Sequence, residues 1–235
     1  MSAGNKKTLQ KLTRGLRSQY PLYYFLGWEE ERMENLLSML VETLYKGQGK
    51  LITWSATRGF DDQETSLSEP LQALSRIRGE ENPAVYLLKD LPLWFDNHPE
   101  LIRGLRDLYY HLLGKHVYVF VSHPVLKMPE ALKKEMFLVE MALPSEQDIL
   151  AQLHKNNGQG HVPDEDTLYH MSVAMKGLSL NEVGHLQRRL YTMPDLKLRA
   201  AMAEIQEEKS QILAKESVLR FYPPQRSLDD IGGLD

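Results

Sequence analysis

The 235-residue chain carries 28 Lys plus Arg against 32 Asp plus Glu, a formal net charge of −4, with 42% hydrophobic residues and no cysteine. That balance lacks the basic excess of sequence-independent nucleic-acid binding, and the missing thiols exclude a disulfide framework, a thiolate zinc site and a cysteine nucleophile. The basic start MSAGNKKTLQKLTRGLRSQYP is followed by no apolar segment of signal-peptide type, and no later run reaches membrane-spanning length, so neither nucleic acid nor a membrane is expected as a partner.

Residues 1–18 read as a polar tail. Tyr20 to Trp28 (YPLYYFLGW) is a nearly continuous apolar run, the pattern of a strand buried on both faces. From Glu29 the period changes. Met33, Leu36, Leu37, Leu40, Val41 and Leu44 recur at three- and four-residue steps, which predicts an amphipathic helix that Gly47 can cap. Leu51 to Ser55 reads as a second strand, and a polar stretch, Asp61 to Glu69, leads to a short helix over Pro70 to Arg78. Ala84 to Leu88 is a third strand. Asp96, Asn97 and His98 stand before Pro99, and Leu101, Ile102, Leu105, Leu108, Tyr109 and Leu112 then form one face of a helix ending at Gly114. Val117 to Val121 and Met136 to Met141 are the fourth and fifth strands. Short apolar strands alternating with amphipathic helices predict βαβ units and a mainly parallel sheet, an α/β core over residues 19–143.

Beyond Pro144 the strands stop. Ser145 with Asp148, and Ser179 with Glu182, are capping-box signatures that open two helices, and a further helix over Asp164 to Lys176 lies between them. Asn156 to His161 is a loop. Residues 144–194 are therefore expected to form a small all-helical lid, and 195–235 a charged helix, Asp195 to about Glu216, with a linker stiffened by Pro223 and Pro224.

Three passages, in order, resemble parts of the AAA family. VYLLKDLP around Asp90 resembles a Walker B strand, whose acidic end helps hold magnesium; VYVFVSHP, with Ser122 and His123, resembles the sensor-one strand; and MPEALKKEMFLVEMALPSEQDILAQL resembles the stretch from that strand to the lid. From YPLYYFLGWEEER through LITWSATRGF to SLDDIGGLD, the order is similar to the N-terminal degenerate half of an AAA group first named as a conserved chloroplast reading frame. The resemblance spans Tyr20 to Asp235 and implies a P-loop-NTPase-like core, a helical lid, and an intact AAA module downstream of SLDDIGGLD.

A P-loop grips phosphate because glycines turn successive backbone N–H groups toward it while a Lys and a Ser or Thr complete the anion and magnesium site. At the corresponding junction this chain reads Leu26-Gly27-Trp28-Glu29-Glu30-Glu31-Arg32, with no GxxxxGK[ST]. Carboxylates at Glu29, Glu30 and Glu31 suit a helix dipole but are expected to repel a triphosphate. Leu91 follows Asp90 where the family has a water-orienting Glu, Ser122-His123 replaces its sensor-one Asn, and Lys133-Lys134 stands near its arginine-finger position without the bidentate guanidinium fork.

Other clusters read more simply. Gly47-Gln48-Gly49-Lys50 precedes a strand and is a turn; Asp61-Asp62 is a solvated loop and Asp164-Glu165-Asp166 a helix start. The eight histidines show no zinc-protease pairing, and His98, His111, His116 and His123 are read as surface, cap or turn residues, so no metal site is expected. Lys89 is placed to neutralise Asp90. Trp94-Phe95 is the candidate exposed contact for a protein partner.

The resemblance implies a non-catalytic regulatory or assembly domain that binds a partner or substrate, joins a ring homo-oligomer and couples to the downstream AAA module in the same chain. ATP and Mg are expected there, with no cofactor in this region. The alternative is a weak ATP-binding or slowly hydrolysing domain with an altered loop near Gly27. The expected location is the cytoplasm, or the plastid stroma for a plastid-encoded gene.

Overall fold

In the computed structural model, which describes residues 3–62, 68–155, 162–193 and 196–215, the run after Tyr20 folds as β1 (Leu22–Leu26), four of whose five side chains are buried. Such a strand needs an apolar layer on each face. Leu22 and Tyr24 point into one layer, with α3 (Pro70–Arg78) and α4 (Pro99–Leu112); Tyr23 and Phe25 point into the other, with α1 (Ala3–Arg17) and α2 (Glu30–Tyr45). Tyr23 stacks on Phe120 at 4.4 Å between ring centroids, a contact inside the second layer.

The remaining strands are β2 (Lys50–Ser55), β3 (Gly59–Phe60), β4 (Ala84–Lys89), β5 (Val117–His123) and β6 (Met136–Glu140), in the order β3-β2-β4-β5-β1-β6. Every pairing is parallel except β2 with β3. The expected α/β class and parallel sheet are thus present, with an antiparallel edge strand that carries too few residues to show periodicity. Phe60 holds it, buried in the core, while the Arg76 guanidinium lies 4.1 Å from its ring centroid and 2.6 Å from Asp62.

The polar tail expected over residues 1–18 is corrected: Ala3–Arg17 is helical. Leu9, Leu12 and Leu16 form a narrow apolar stripe at helical spacing that the surrounding Lys and Arg obscure in a reading by composition. Leu12 is fully buried, the Thr8 hydroxyl accepts a bond of 3.1 Å from the Ala142 N–H, and Gly15 lets the helix close on the Tyr23 ring. The end of α2 takes two left-handed residues in a row, Lys46 at the cap, φ 51°, and the expected Gly47 after it, φ 82°.

The chain divides between Ala142 and Leu143. The second unit contains α5 (Glu146–Leu153), α6 (Glu165–Ala174), α7 (Leu180–Tyr191) and α8 (Leu198–Lys215). Both capping boxes form, at Ser145 with Asp148 and at Ser179 with Glu182. The Tyr191 hydroxyl and Gln187 amide donate to the Leu153 carbonyl at 2.6 and 3.1 Å, which satisfies an acceptor that the end of α5 would leave orphaned. Burial pushes the Tyr191 phenol up to about 12. The expected loop at Asn156 to His161 and the linker at Pro223-Pro224 lie outside the described residues, as does Asp195.

A Gly15→Ala substitution tests whether α1 is packed. Its Cβ would sit 2.6 Å from Tyr23 Cε1 and 2.9 Å from Phe137 Cδ1. Overpacking should cost about 1–3 kcal/mol in urea denaturation, against roughly 1 kcal/mol gained in helix propensity, so a net loss is expected; an unpacked tail would show none. In the second unit, Ser179→Ala removes a helix cap and should cost about 1 kcal/mol in the same measurement.

Candidate functional site: the junction at the end of the central strand

Chain direction around β1 defines the switch point of the sheet, the position where open α/β sheets place their ligand crevice. The connection from β1 runs toward β2, and that from β5 crosses to β6 on the other side, so the C-terminal ends of β1 and β5 flank the topological switch point. The backbone stitches this end together: Gly27 N–H donates to the His123 carbonyl at 3.2 Å, and Asp90 N–H to the Ser122 carbonyl at 2.9 Å.

Between β1 and α2 stand three residues, Gly27, Trp28 and Glu29. Gly27 is closely packed, since a Cβ there would lie 2.7 Å from both Met141 Cβ and Met33 Cε. Trp28 is 72% exposed. Glu29 turns inward to 5% exposure, and its carboxylate lies 2.7 Å from the guanidinium of Arg32, itself 8% exposed. The Arg32 Nε donates to the Asn5 side chain of α1 at 2.7 Å.

The next acid is also engaged. Lys89, at the end of β4, pairs with Glu30 at 3.2 Å and with Glu34 one turn further along α2. Burial works against the Lys89 charge, but those two carboxylates outweigh it and hold its pKa above the usual lysine value. Two expectations change here. Lys89 neutralises Glu30 and Glu34 instead of Asp90, and Glu29, Glu30 and Glu31 are not three bare charges: only the exposed Glu31 lacks an ion pair among the described residues.

Asp90 follows β4 in a left-handed conformation, φ 55°, that starts a short 3-10 turn over Leu91–Trp94. Its Oδ1 lies 2.8 Å from His123 Nδ1, which suits donation by an Nδ1–H to the carboxylate. The Asp90 side chain is half exposed while His123, expected as a surface, cap or turn residue, is buried at the end of β5. Ser122 is buried, with its carbonyl used by Asp90.

Elsewhere the expected contact at Trp94-Phe95 is corrected. Phe95 is 4% exposed and belongs to the core because the 3-10 turn rotates it inward; Trp94 is partly buried against His98, and Leu93, at 51%, is the exposed member. Lys133 pairs with Glu130, and Gln48 N–H closes a turn on the Tyr45 carbonyl. Among the described residues no group of three His, Cys, Asp or Glu is placed to hold a metal, and no helix is long and apolar enough to cross a membrane.

Sequence reasoning missed Arg32, Lys89 as a cross-link and Asn5. The spacing of Glu29 and Arg32, three residues apart on a helix start, was the available signal for the first.

A mainly parallel sheet in the first unit, followed by a second unit of helices, is the plan of an AAA module. Its fold is shared with the FIGL-1 AAA domain in complex with ADP (TM-score 0.58, 14% identity, 94% of this chain and 83% of that one). It is also shared with a chain of the HORMA:CdnC:Trip13 complex of E. coli MS115-1 (0.56, 14%, 80% and 74%) and with domain III of the Thermotoga maritima replication initiation protein DnaA (0.55, 11%, 88% and 93%). Residues 8–141 match the SpoVK-like AAA ATPase, N-terminal domain, and the chain belongs to that family. Curated relatives include the "Uncharacterized AAA domain-containing protein ycf46" of Guillardia theta, 27% identical over 228 residues, and of Gracilaria tenuistipitata var. liui, 26% identical over 230. These matches take in 94% of the present chain but 44% and 46% of the relatives, so the chain spans less than half their length.

The buried pair predicts a non-additive response. Arg32→Met leaves the Glu29 carboxylate buried without its cation and should cost about 3–5 kcal/mol in urea denaturation. Adding Glu29→Gln should recover most of that loss; equal instability of the single and double variants would show that Arg32 packing, and not charge pairing, is what matters.

Proposed function

We propose that this region is a non-catalytic AAA-like domain whose role is interaction: it receives a protein partner or substrate and passes that state to an ATPase module elsewhere in the same protein. The observation that carries this reading is the junction after β1. It is three residues long, and the two cations that flank it, Arg32 and Lys89, are engaged by carboxylates, Arg32 by Glu29 and Lys89 by Glu30 and Glu34. A Mg-triphosphate is gripped by a glycine-rich turn with a Lys and a Ser or Thr at the start of the helix, and the Leu26-Gly27-Trp28-Glu29-Glu30-Glu31-Arg32 junction carries none of these three. ATP and Mg are assigned instead to the other module, with ring assembly and plastid or cytoplasmic location as further parts of the proposal.

Calorimetric titration of the chain with ATP and magnesium tests this. No micromolar binding is expected. Micromolar binding that Asp90→Ala abolishes would overturn the proposal in favour of a weak or slowly hydrolysing nucleotide site near Gly27.

A further inference from the structure

A cleft of about 310 Å³ opens between the β2–β3 hairpin and the end of β4, at the lower end of the 300–1,000 Å³ range of small-molecule pockets and equal to roughly ten water volumes. The hairpin on its wall is held from several sides. Arg58 N–H closes the turn on the Ser55 carbonyl at 3.3 Å, and Gly59 takes the positive φ of 69° that the turn requires. The Asp61 carboxylate accepts from Thr53 N–H at 2.9 Å and from the Thr53 hydroxyl at 3.0 Å, and Phe60 anchors the returning strand in the core. Such fixing presents the turn side chains at little entropic cost on binding.

The polar groups of the cleft divide into those already matched and those left open. Lys89 is matched by Glu30 and Glu34, and Asp61 by Thr53. Open to a ligand are the exposed Arg58 guanidinium, which forms no ion pair among the described residues, and the second oxygen of the half-exposed Asp90, whose Oδ1 alone meets His123. The Ser55 and Thr57 hydroxyls, 3.3 Å apart, stand on the same turn as Arg58. One free cation, one free carboxylate oxygen and two hydroxyls are complementary to a molecule bearing one carboxylate and one ammonium. The acids Glu30, Asp61 and Asp90 along the same wall oppose a polyanion.

We propose that this cleft binds a small zwitterion, an α-amino acid or short peptide, with its carboxylate on the Arg58 fork and its ammonium on Asp90. A zwitterion and a Mg-nucleotide would both draw on Asp90, and the ligand tells them apart, since alanine and triglycine carry no phosphate.

The test is titration of the chain with L-alanine, triglycine, acetyl-triglycine-amide and inorganic phosphate, followed by the amide NMR signals of Thr57 and Gly59 and the indole N–H of Trp54, which lines the cleft. Saturable shifts with alanine or triglycine are expected, the stronger of the two identifying a free amino acid or a peptide as the source. Arg58→Ala and Asp90→Asn should each weaken them about tenfold, the scale of one lost charge-assisted bond. No shift with either zwitterion, or equal shifts with the blocked peptide or with phosphate, would overturn the assignment, as would unchanged binding by both variants.

Discussion

Everything at the candidate site follows from the confinement of β1. A strand with neighbours on both sides and helices on both faces has one free direction, along its own axis, so the residues after Leu26 decide what can approach the switch point. Here the chain turns at once into α2. Gly27 permits the turn by having no Cβ to meet Met33 and Met141, and the inward Glu29 with Arg32 fills the space behind it. Local brevity and buried charge are therefore two aspects of a single packing solution.

The electrostatics are correspondingly self-contained. Ions removed from water are tolerated when they are paired and hydrogen-bonded, and Arg32 pairs with Glu29 through Nη1 and donates to Asn5 of α1 through Nε, which leaves Nη2 buried without a hydrogen-bond partner among the described residues. Lys89 draws the end of β4 to the first turns of α2 in the same manner. A picture of three bare glutamates is replaced by one in which Arg32 and Lys89 are engaged by Glu29, Glu30 and Glu34, while Arg58 on the β2–β3 turn forms no ion pair among the described residues. Asp90 stands apart, half exposed and oriented by His123.

Much of the fold was legible because periodicity is a local property. The aromatic run at Tyr20, the three-four spacing after Glu29 and the two capping boxes each carry their structure within a short window. What escaped depends on partners distant in sequence or on patterns too short to repeat. β3 is a strand because Phe60 reaches the core; α1 was hidden because charge along its outer face outweighed a stripe of three leucines. At the site, the positions of Gly27, Asp90 and His123 could be read from strand ends, whereas the Arg32–Asn5 and Lys89–Glu34 pairings could not, since no local rule links residues on separate elements. Phe95 failed for a related reason: a 3-10 turn decides which of two adjacent aromatics faces inward.

The Glu29–Arg32 pair also has a consequence for how this sequence can change. Neutralising either residue alone removes the opposite charge from its partner in the interior, and lengthening the junction displaces the packing of Gly27 while both charges stay in place. Glu29 and Arg32 are therefore coupled positions, at which a change in one sets the cost of a change in the other.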